Sequence, residues 1–556
     1  MYDLRTTPPV RRSFSRRSAK RSGADGGDVR RAPMSGPRVV SEALGGVALA
    51  REAIVGSAPV EWYPPRPTSS EGWSSRVREV QATTSPDWLS RLSLAFGARG
   101  EAAARLDRVA ASGGVVVTTG QQPGLFGGPI YTWSKAIAAL ELADAIERAT
   151  GVATAPVFWA ATDDADFAEA CETWIATAHG AARLTMSREA TDGVPMAEVP
   201  LGDVNDALDA LAAAAGSAVD PSVLDVARLA YNAQQTVGGA YLTLLRVLLE
   251  PLGVAVLDAS HPALLTAERP ILVGALQKGA QIEEALVQRA ANMRAMGHKP
   301  QVADVDGLSL VFTRTAGKKV RVPLRDAHEM AARAATERLS PNVLLRPVAE
   351  RAVLPTVAYL AGPGEIAYFA QVSAVASALG AAVPMAVPRW SCTILEPHVE
   401  ALLTRYGMRR QELSAPNAVE GRLARQSLPS AVPGALLALR QHIDDGSAAV
   451  GAALAGDDAL ILPEVLAGVR RQLTWRADKL ERRIVAATKR RESVMMRDVA
   501  TLRGALFPGG GRQERALNLL PMLARYGGVL FEVMRVGARA HAEALVHGRP
   551  IPVDDE

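Results

Sequence analysis

The chain has 556 residues, 48% of them hydrophobic and 22% charged, a length that suits two to four structural units with large apolar cores. No run approaches the roughly eighteen uninterrupted apolar residues of a membrane span, which argues against a membrane role. The basic pI of about 9.1 is a local effect: residues 1–38 hold nine Arg and one Lys against three Asp, a net of +7, which leaves −3 for everything after them.

Residues 1–38 mix that charge with Ser, Gly and Pro and have too little apolar content to fold, so a disordered basic tail is expected. A nucleic-acid-binding domain keeps its basic surplus on a folded surface, and no nucleic-acid partner is expected here. The tail reads as a solvated leader, as a nucleic-acid arm, or as an over-extended start of the reading frame ahead of Met34. It lacks the apolar core of a secretory signal. Residues 39–112 read as helices and loops, broken at Pro64-Pro65 and around Pro86. Val115–Thr119 is a β-branched run of the kind buried on both faces of a parallel sheet. Gly120 through Pro129 holds four glycines and two prolines. Ile130 to Arg148 has helical spacing, and Ala155 to Ala160 is a second buried strand, which completes a βαβ unit of the class that is nearly always right-handed.

The same grammar returns further on. A long helix is expected over 223–250, then a strand from Val254 to Asp258. Leu308–Thr313 and Lys319–Val322 form a hairpin turned at Ala316-Gly317. Pro355 to Leu360 is a strand, followed by Gly362-Pro363-Gly364, a helix to about Gly380, and a strand over Pro384–Pro388. Residues 39–394 therefore read as an α/β parallel-sheet core with insertions over about 170–340. Residues 395–556 read as helical. There Leu462, Leu466, Val469, Leu473, Ala477, Leu480, Ile484 and Ala487 alternate spacings of three and four, a heptad seam. It suits a short antiparallel coiled-coil arm over about 462–503 or an ordinary helical bundle. A return helix is expected from Gln513-Glu514-Arg515.

The two cysteines, Cys171 and Cys392, give neither a disulfide framework nor a CxxC pair and fit a reducing cytoplasm, the expected location. His328-Glu329 opens like a zinc-protease helix, but Ala332 stands where its second histidine belongs, and no dedicated metal site is expected.

In open parallel sheets ligands bind beyond the carboxyl ends of the strands, and three loops leave this sheet there. The first runs from Gly120 through Gln121, Gln122, Gly124, Gly127 and Gly128 to Tyr131 and Lys135. It is an anion or nucleotide site, or a tight turn; its spacing fits neither the Walker A nor the dinucleotide pattern. The second holds Asp163, Asp164 and Asp166, which suit magnesium, an amine or sugar hydroxyls, or else form a solvated turn with Asp166 as helix cap. The third joins Tyr359 to Gly364 and Glu365, with Arg389 after the last strand as a bidentate donor to a carboxylate or phosphate.

The segments TTGQQPGLFGGPIYTWSK (118–135), PVFWAATDDADF (156–167), LSPNVLLRP (339–347), LPTVAYLAGPGEIAYFAQ (354–371), VPRWSCTILE (387–396) and LFPGGGRQERALNLLP (506–521) resemble the BshC family, the cysteine-adding enzymes of bacillithiol biosynthesis. The resemblance covers the chain from about residue 45 onward. It implies a Rossmann-like core akin to class I nucleotidyltransferases and aminoacyl-tRNA synthetases, interrupted by connective insertions, and a C-terminal coiled coil that forms a homodimer. It also implies a ligase that joins the carboxylate of L-cysteine to the amine of glucosaminyl-malate in the last step to bacillithiol. One position departs from the family pattern, Ala165 in place of an expected histidine, and Ser134 follows Trp133 where other members can carry His or Tyr.

An amide does not form from a free carboxylate at useful rates, so the acid is expected to be activated as an adenylate or acyl phosphate. ATP or another nucleotide is the expected cofactor, with magnesium a candidate beside it. Lys135, Asp163 and Asp164 are the candidate catalytic residues. Phosphates or malate carboxylates are expected over Gly120–Gly128, Asp166 near the amine or hydroxyls, and Glu365 and Tyr359 around the second substrate. Lys135→Ala is expected to lower turnover far more than stability. A nucleotidyl- or glycosyltransferase on the same fold is the rival enzyme, and a non-catalytic coiled-coil partner of pathway enzymes the rival of another kind. All of these roles require Gln121, Asp164 and Glu365 to line one cavity.

Overall fold

The computed structural model describes residues 36–186, 192–303, 305–454 and 461–554. The tail reading for residues 1–35 lies outside the described residues. Arg38, which the sequence reading leaves in the tail, instead opens a strand, Arg38–Ser41, antiparallel to Cys392–Leu395.

The central sheet has five strands: β1 (Val115–Gln121), β2 (Thr154–Ala160), β3 (Ala255–Asp258), β4 (Thr356–Ala361) and β5 (Ala386–Pro388). Their order is β5-β4-β1-β2-β3, and every neighbouring pair is parallel. Alternation explains why these runs became strands. Val115, Val117, Phe158 and Val256 enter one buried cluster, while Val116, Val157, Trp159 and Leu257 enter another on the opposite face. The chain lays down β1, β2 and β3 in one direction, then returns to place β4 against the other edge of β1. The switch point between β1 and β4 is where such sheets open a crevice at their carboxyl ends.

Seven helices bear on function: α1 (Ile130–Thr150), α2 (Pro262–Gln277), α3 (Arg346–Val353), α4 (Pro363–Leu379), α5 (Ala431–Ala453), α6 (Pro463–Arg491) and α7 (Gly528–Val546). The first four surround the sheet. The α5 and α6 helices form the antiparallel coiled coil, tied by ion pairs of Arg440 with Asp478 and of Arg470 with Asp444. The partner of the heptad helix thus precedes it, whereas the sequence reading places it after Gln513. The Gln513–Ala516 segment is a single helical turn, and the last helix, α7, packs along α1. Fully buried Glu141 of α1 accepts hydrogen bonds from Arg535 Nε (2.6 Å) and Arg539 Nε (2.8 Å) of α7. The expected 462–503 arm is two helices that meet at Glu492, with the heptad positions Leu466 to Ala487 all on α6, and Leu462, Val469, Leu473 and Leu480 remain exposed, because α5 covers only one side of α6.

Two further differences have local causes. The expected 223–250 helix is divided into Ser222–Ala230 and Val237–Leu249, because Asn232 Oδ1 accepts Gln234 N–H and Thr236 Oγ1 caps the second helix at Gly239. A hairpin, Glu172–Thr177 with Gly180–Thr185, stands where the sequence reading has only insertion helices. The hairpin Leu308–Thr315 with Lys318–Pro323 turns at Ala316 (φ 49°) and Gly317 (φ 80°), the two left-handed residues of a tight hairpin turn. No helix among the described residues is long and apolar enough to cross a membrane.

Candidate active site

A cavity of about 620 Å³ opens at the β1–β4 switch point. Its wall takes Gly120, Gln121 and Gln122 from the end of β1, Asp163, Asp164 and Ala165 from the turn after β2, Tyr359 from β4 and Glu365 from α4. Three segments far apart in the chain therefore converge, as the sequence argument requires. The volume lies within the range of small-molecule sites.

Gly120 is required by close approach: a Cβ there would lie 2.8 Å from the Trp159 carbonyl oxygen and 3.0 Å from Trp159 Cβ. The neighbour is strand backbone and cannot swing aside, so Gly120→Ala is expected to cost roughly 1–3 kcal/mol in urea unfolding, the scale of overpacking.

A polar network runs beneath the floor. Lys135 Nζ donates to Gly120 O (2.9 Å) and Gln121 Oε1 (3.2 Å) and pairs with Glu365 Oε2 (2.7 Å). Glu365 Oε1 accepts from Tyr359 OH (2.7 Å), which accepts from Arg346 Nη2 (3.0 Å). Arg346 Nη1 donates to Glu350 Oε2 (2.8 Å), and Glu350 closes the circuit by accepting from Thr118 Oγ1 of β1. Burial alone would raise the Glu365 carboxyl; Lys135, Tyr359 and the Gly362 N–H together hold it below the usual range. Burial lowers Lys135, partly offset by Glu365. With three acceptors around its three protons, and 3% exposure, Lys135 braces the switch point from behind Gln121 and does not border the cavity.

The opposite wall is where charge faces the ligand space. Lys319, from the second strand of the 308–323 hairpin, donates to the Asp163 carbonyl (2.9 Å) and Oδ2 (3.1 Å). Arg321 lies two residues on, its guanidinium held by Ser309 O. Asn342 Oδ1 accepts the Leu344 and Leu345 N–H groups, which starts α3 and sets Arg346, its first residue, in the wall. Glu268 of α2 is 1% exposed and borders the same space, and burial, then the Asp163 charge, pushes its carboxyl up to about 8.

Several expected ligand residues stand elsewhere. Gly124, Gly127 and Gly128 turn away from the cavity and form a packed turn. Tyr231 OH donates to Gly124 O, and Asn518 Nδ2 donates to Phe126 O (3.0 Å) and Gly128 O (3.3 Å). Gly127 N–H donates to Gly124 O and Gly128 N–H to Leu125 O within the turn, and Ile130 N–H, which opens α1, donates to Leu517 O. Gly127 has φ 84°, and a Cβ would meet the Trp133 ring at 2.5 Å, so its glycine serves packing. Tyr131 takes a hydrogen bond from Gln121 Nε2 (2.8 Å), with Arg389 and Arg515 over its ring, one step behind the wall. Gly364 is exposed at the start of α4, outside the lining. Asp166 caps the Phe167–Ala170 turn by accepting Glu169 N–H. Among the described residues, no three Asp, Glu, His or Cys side chains converge to hold a metal, because Asp163 is tied to Lys319 and Asp166 to its cap.

Arg389 is the clearest correction. It is 2% exposed and meets Glu514 in two hydrogen bonds (2.7 and 2.9 Å), so its donors are spent inside the fold. The sequence reading also passed over Glu268, Lys319, Arg321 and Arg346. Arg346 sits within the LSPNVLLRP segment, and its place on an Asn-capped helix was the available signal. Glu268 and Lys319 carried none, since an acidic residue on a helix and a lysine on a hairpin are ordinary surface features.

Comparison with known proteins agrees with this architecture. Residues 59–390 match the family model described as the N-terminal Rossmann-like domain of bacillithiol biosynthesis BshC, and residues 392–536 match the C-terminal coiled-coil domain of the same family. A protein of Solibacter usitatus named "Putative cysteine ligase BshC" is 32% identical over 482 residues, 84% of this chain and 89% of its own length. One of the same name from Koribacter versatilis is 32% identical across 83% of this chain and 88% of its own length, and one from Staphylococcus carnosus is 26% identical across 75% and 82%. On the Rossmann-like sheet, the coiled coil and these matches, the chain belongs to the bacillithiol biosynthesis BshC family.

Proposed function

We propose that the chain is a cysteine ligase that forms the amide between the carboxylate of L-cysteine and the amine of glucosaminyl-malate, as the last step of bacillithiol biosynthesis in the cytoplasm. One observation carries the reading: a single switch-point cavity sets Lys319, Arg321 and Arg346 against Asp163, Asp164 and Glu268. Both substrates carry carboxylate and ammonium groups together, and a wall of mixed sign suits them better than a wall of one sign. The cations take the malate carboxylates, and the carboxylates take the amine and sugar hydroxyls. Glu365 and Tyr359, fixed by Lys135 and Arg346, hold the second substrate against the end of β1.

We further propose that ATP or another nucleotide activates the cysteine carboxylate. The Gly124–Gly128 turn lies outside the cavity, with the Gly127, Gly128 and Ile130 N–H groups already bonded, and is not a fit for its phosphates. The exposed apolar stripe Val469, Leu473 and Leu480 on α6, with Leu462 just before it, supports a homodimer through the coiled coil.

The test is direct. Purified chain, cysteine, glucosaminyl-malate and each of ATP, GTP, CTP and UTP are incubated, and the amide is sought by mass spectrometry. Deletion of the gene is expected to accumulate glucosaminyl-malate and remove the final thiol. Pyrophosphate or a nucleotide-sugar without any amide would replace the ligase reading with a transferase.

A further inference from the structure

The amine in this reaction arrives largely as an ammonium group near neutral pH and cannot attack carbon until it loses a proton. No histidine lines the cavity. A base must come from another residue type. The cavity's carboxylates differ in what already holds them. Asp163 is paired with Lys319; Glu365 is held by Lys135, Tyr359 and Gly362 N–H; Asp164 Oδ1 accepts Asp166 N–H.

Glu268 has no such partner. Among the described residues no donor hydrogen-bonds its carboxyl, and Oε1 is wholly buried without a partner, although the side chain borders the ligand space. A buried polar group left unpaired is costly, and native folds rarely keep one without a use. Glutamine or leucine on this turn of α2 would remove the charge that the fold must desolvate. What its position gives the side chain is a place in the cavity wall, at 1% exposure.

We propose that Glu268 is the general base of amide formation, taking the proton from the ammonium group of the amino-sugar substrate. The assignment rests on the ligase reading. The balance is as follows. The Glu268 carboxylate accepts one proton from R–NH3+. The freed lone pair attacks the carbonyl carbon of cysteine, activated as an acyl phosphate or acyl adenylate by a nucleoside triphosphate. The C–N bond forms, the bond from that carbon to the phosphate oxygen breaks, and the phosphate or nucleoside monophosphate leaves with the electron pair. The second nitrogen proton goes to the leaving group, and Glu268 returns its own to solvent. Four charged side chains face the carboxyl: Asp163 from the turn after β2, Lys319 from the hairpin, and Arg346 and Glu350 from α3. With burial as the largest cause, they set it at about 8, near the range of the amine it serves, where proton transfer is efficient.

Glu268→Gln in the full-length chain tests the assignment, since it keeps the shape and removes the base. Amide formation is followed by mass spectrometry from about pH 6 to about pH 9. Turnover is expected to fall roughly 10²–10⁴-fold, with a melting temperature no lower than that of the unaltered chain. The ratio of unaltered to E268Q rates is expected to rise with pH through about 8. Only the unaltered chain gains a carboxylate there, and the ionisation of the substrate amine cancels in the ratio. Glu268→Asp, which keeps the base at a longer reach, is expected to recover part of the loss and serves as the readout should E268Q fail to fold. E268Q turnover within threefold of the unaltered chain, at a constant ratio across pH, overturns the role of Glu268 and leaves the ligase reading standing. Absence of amide from the unaltered chain with every nucleotide overturns both.

Discussion

Lys135→Met is expected to destabilise the folded chain by roughly 3–5 kcal/mol, the scale for removing one partner of a buried ion pair. Lys135 and Glu365 are 2.7 Å apart, and Lys135 also holds the Gly120 carbonyl and Gln121. Without the ammonium, Glu365 keeps a buried charge next to Tyr359, and the end of β1 loses its tie to α4. Turnover is expected to collapse as well, because Gln121 and Glu365 both line the cavity. The sequence alone suggests that a Lys135 substitution lowers turnover far more than stability; the burial of Lys135 adds a large stability cost to that expectation. The double variant Lys135→Met with Glu365→Gln is expected to recover more than half of the lost stability while remaining inactive, since no charge is then stranded. Urea unfolding of the three variants measures this. Equal midpoints for Lys135→Met and the unaltered chain would show that the pair contributes nothing.

Arg389→Met is expected to cost a similar roughly 3–5 kcal/mol and to leave substrate KM unchanged in the fraction that folds. Glu514 also accepts from Ser391 Oγ (2.8 Å) and the Cys392 N–H (3.3 Å), so this one carboxylate fastens the chain after β5 to the 513–516 turn. Burial would raise Glu514, yet Arg389 and these donors hold it below the ordinary value of 4.5. Since the folded value is the lower one, the pair's contribution is present above about pH 4.5 and is lost as pH falls through the folded value. The difference in urea midpoint between Arg389→Met and the unaltered chain is therefore expected to be full at neutral pH and to shrink on acidification. A raised KM at unchanged stability would return Arg389 to the ligand site.

What the sequence discloses and what it hides divide along a physical line. β1 and β2 are legible because strands buried on both faces are continuous β-branched and aromatic runs, and the tight hairpin because Ala316-Gly317 supplies a turn. The meeting of Gln121, Asp164 and Glu365 follows from the rule that strand ends share one edge of the sheet. The roles of Gly124 and Gly127 do not follow, because a glycine that lets backbone approach a ligand and one that yields to the Trp133 ring look the same in a sequence. The Arg38–Ser41 strand is hidden because its partner lies more than three hundred residues away, beyond any local signal. Arg389 is misread for the same reason, its partner Glu514 being 125 positions distant. Glu268 is invisible because its distinguishing property is a buried carboxyl with no hydrogen-bond donor among the described residues.

The most direct measurement is a crystal structure of the full chain with glucosaminyl-malate bound. The account predicts the ligand in the switch-point cavity, its malate carboxylates toward Arg346, Arg321 and Lys319 and its amine within hydrogen-bonding distance of Glu268. Ordered ligand at any other place on the chain, with the space between Gln121, Asp164 and Glu365 filled only by solvent, would contradict it.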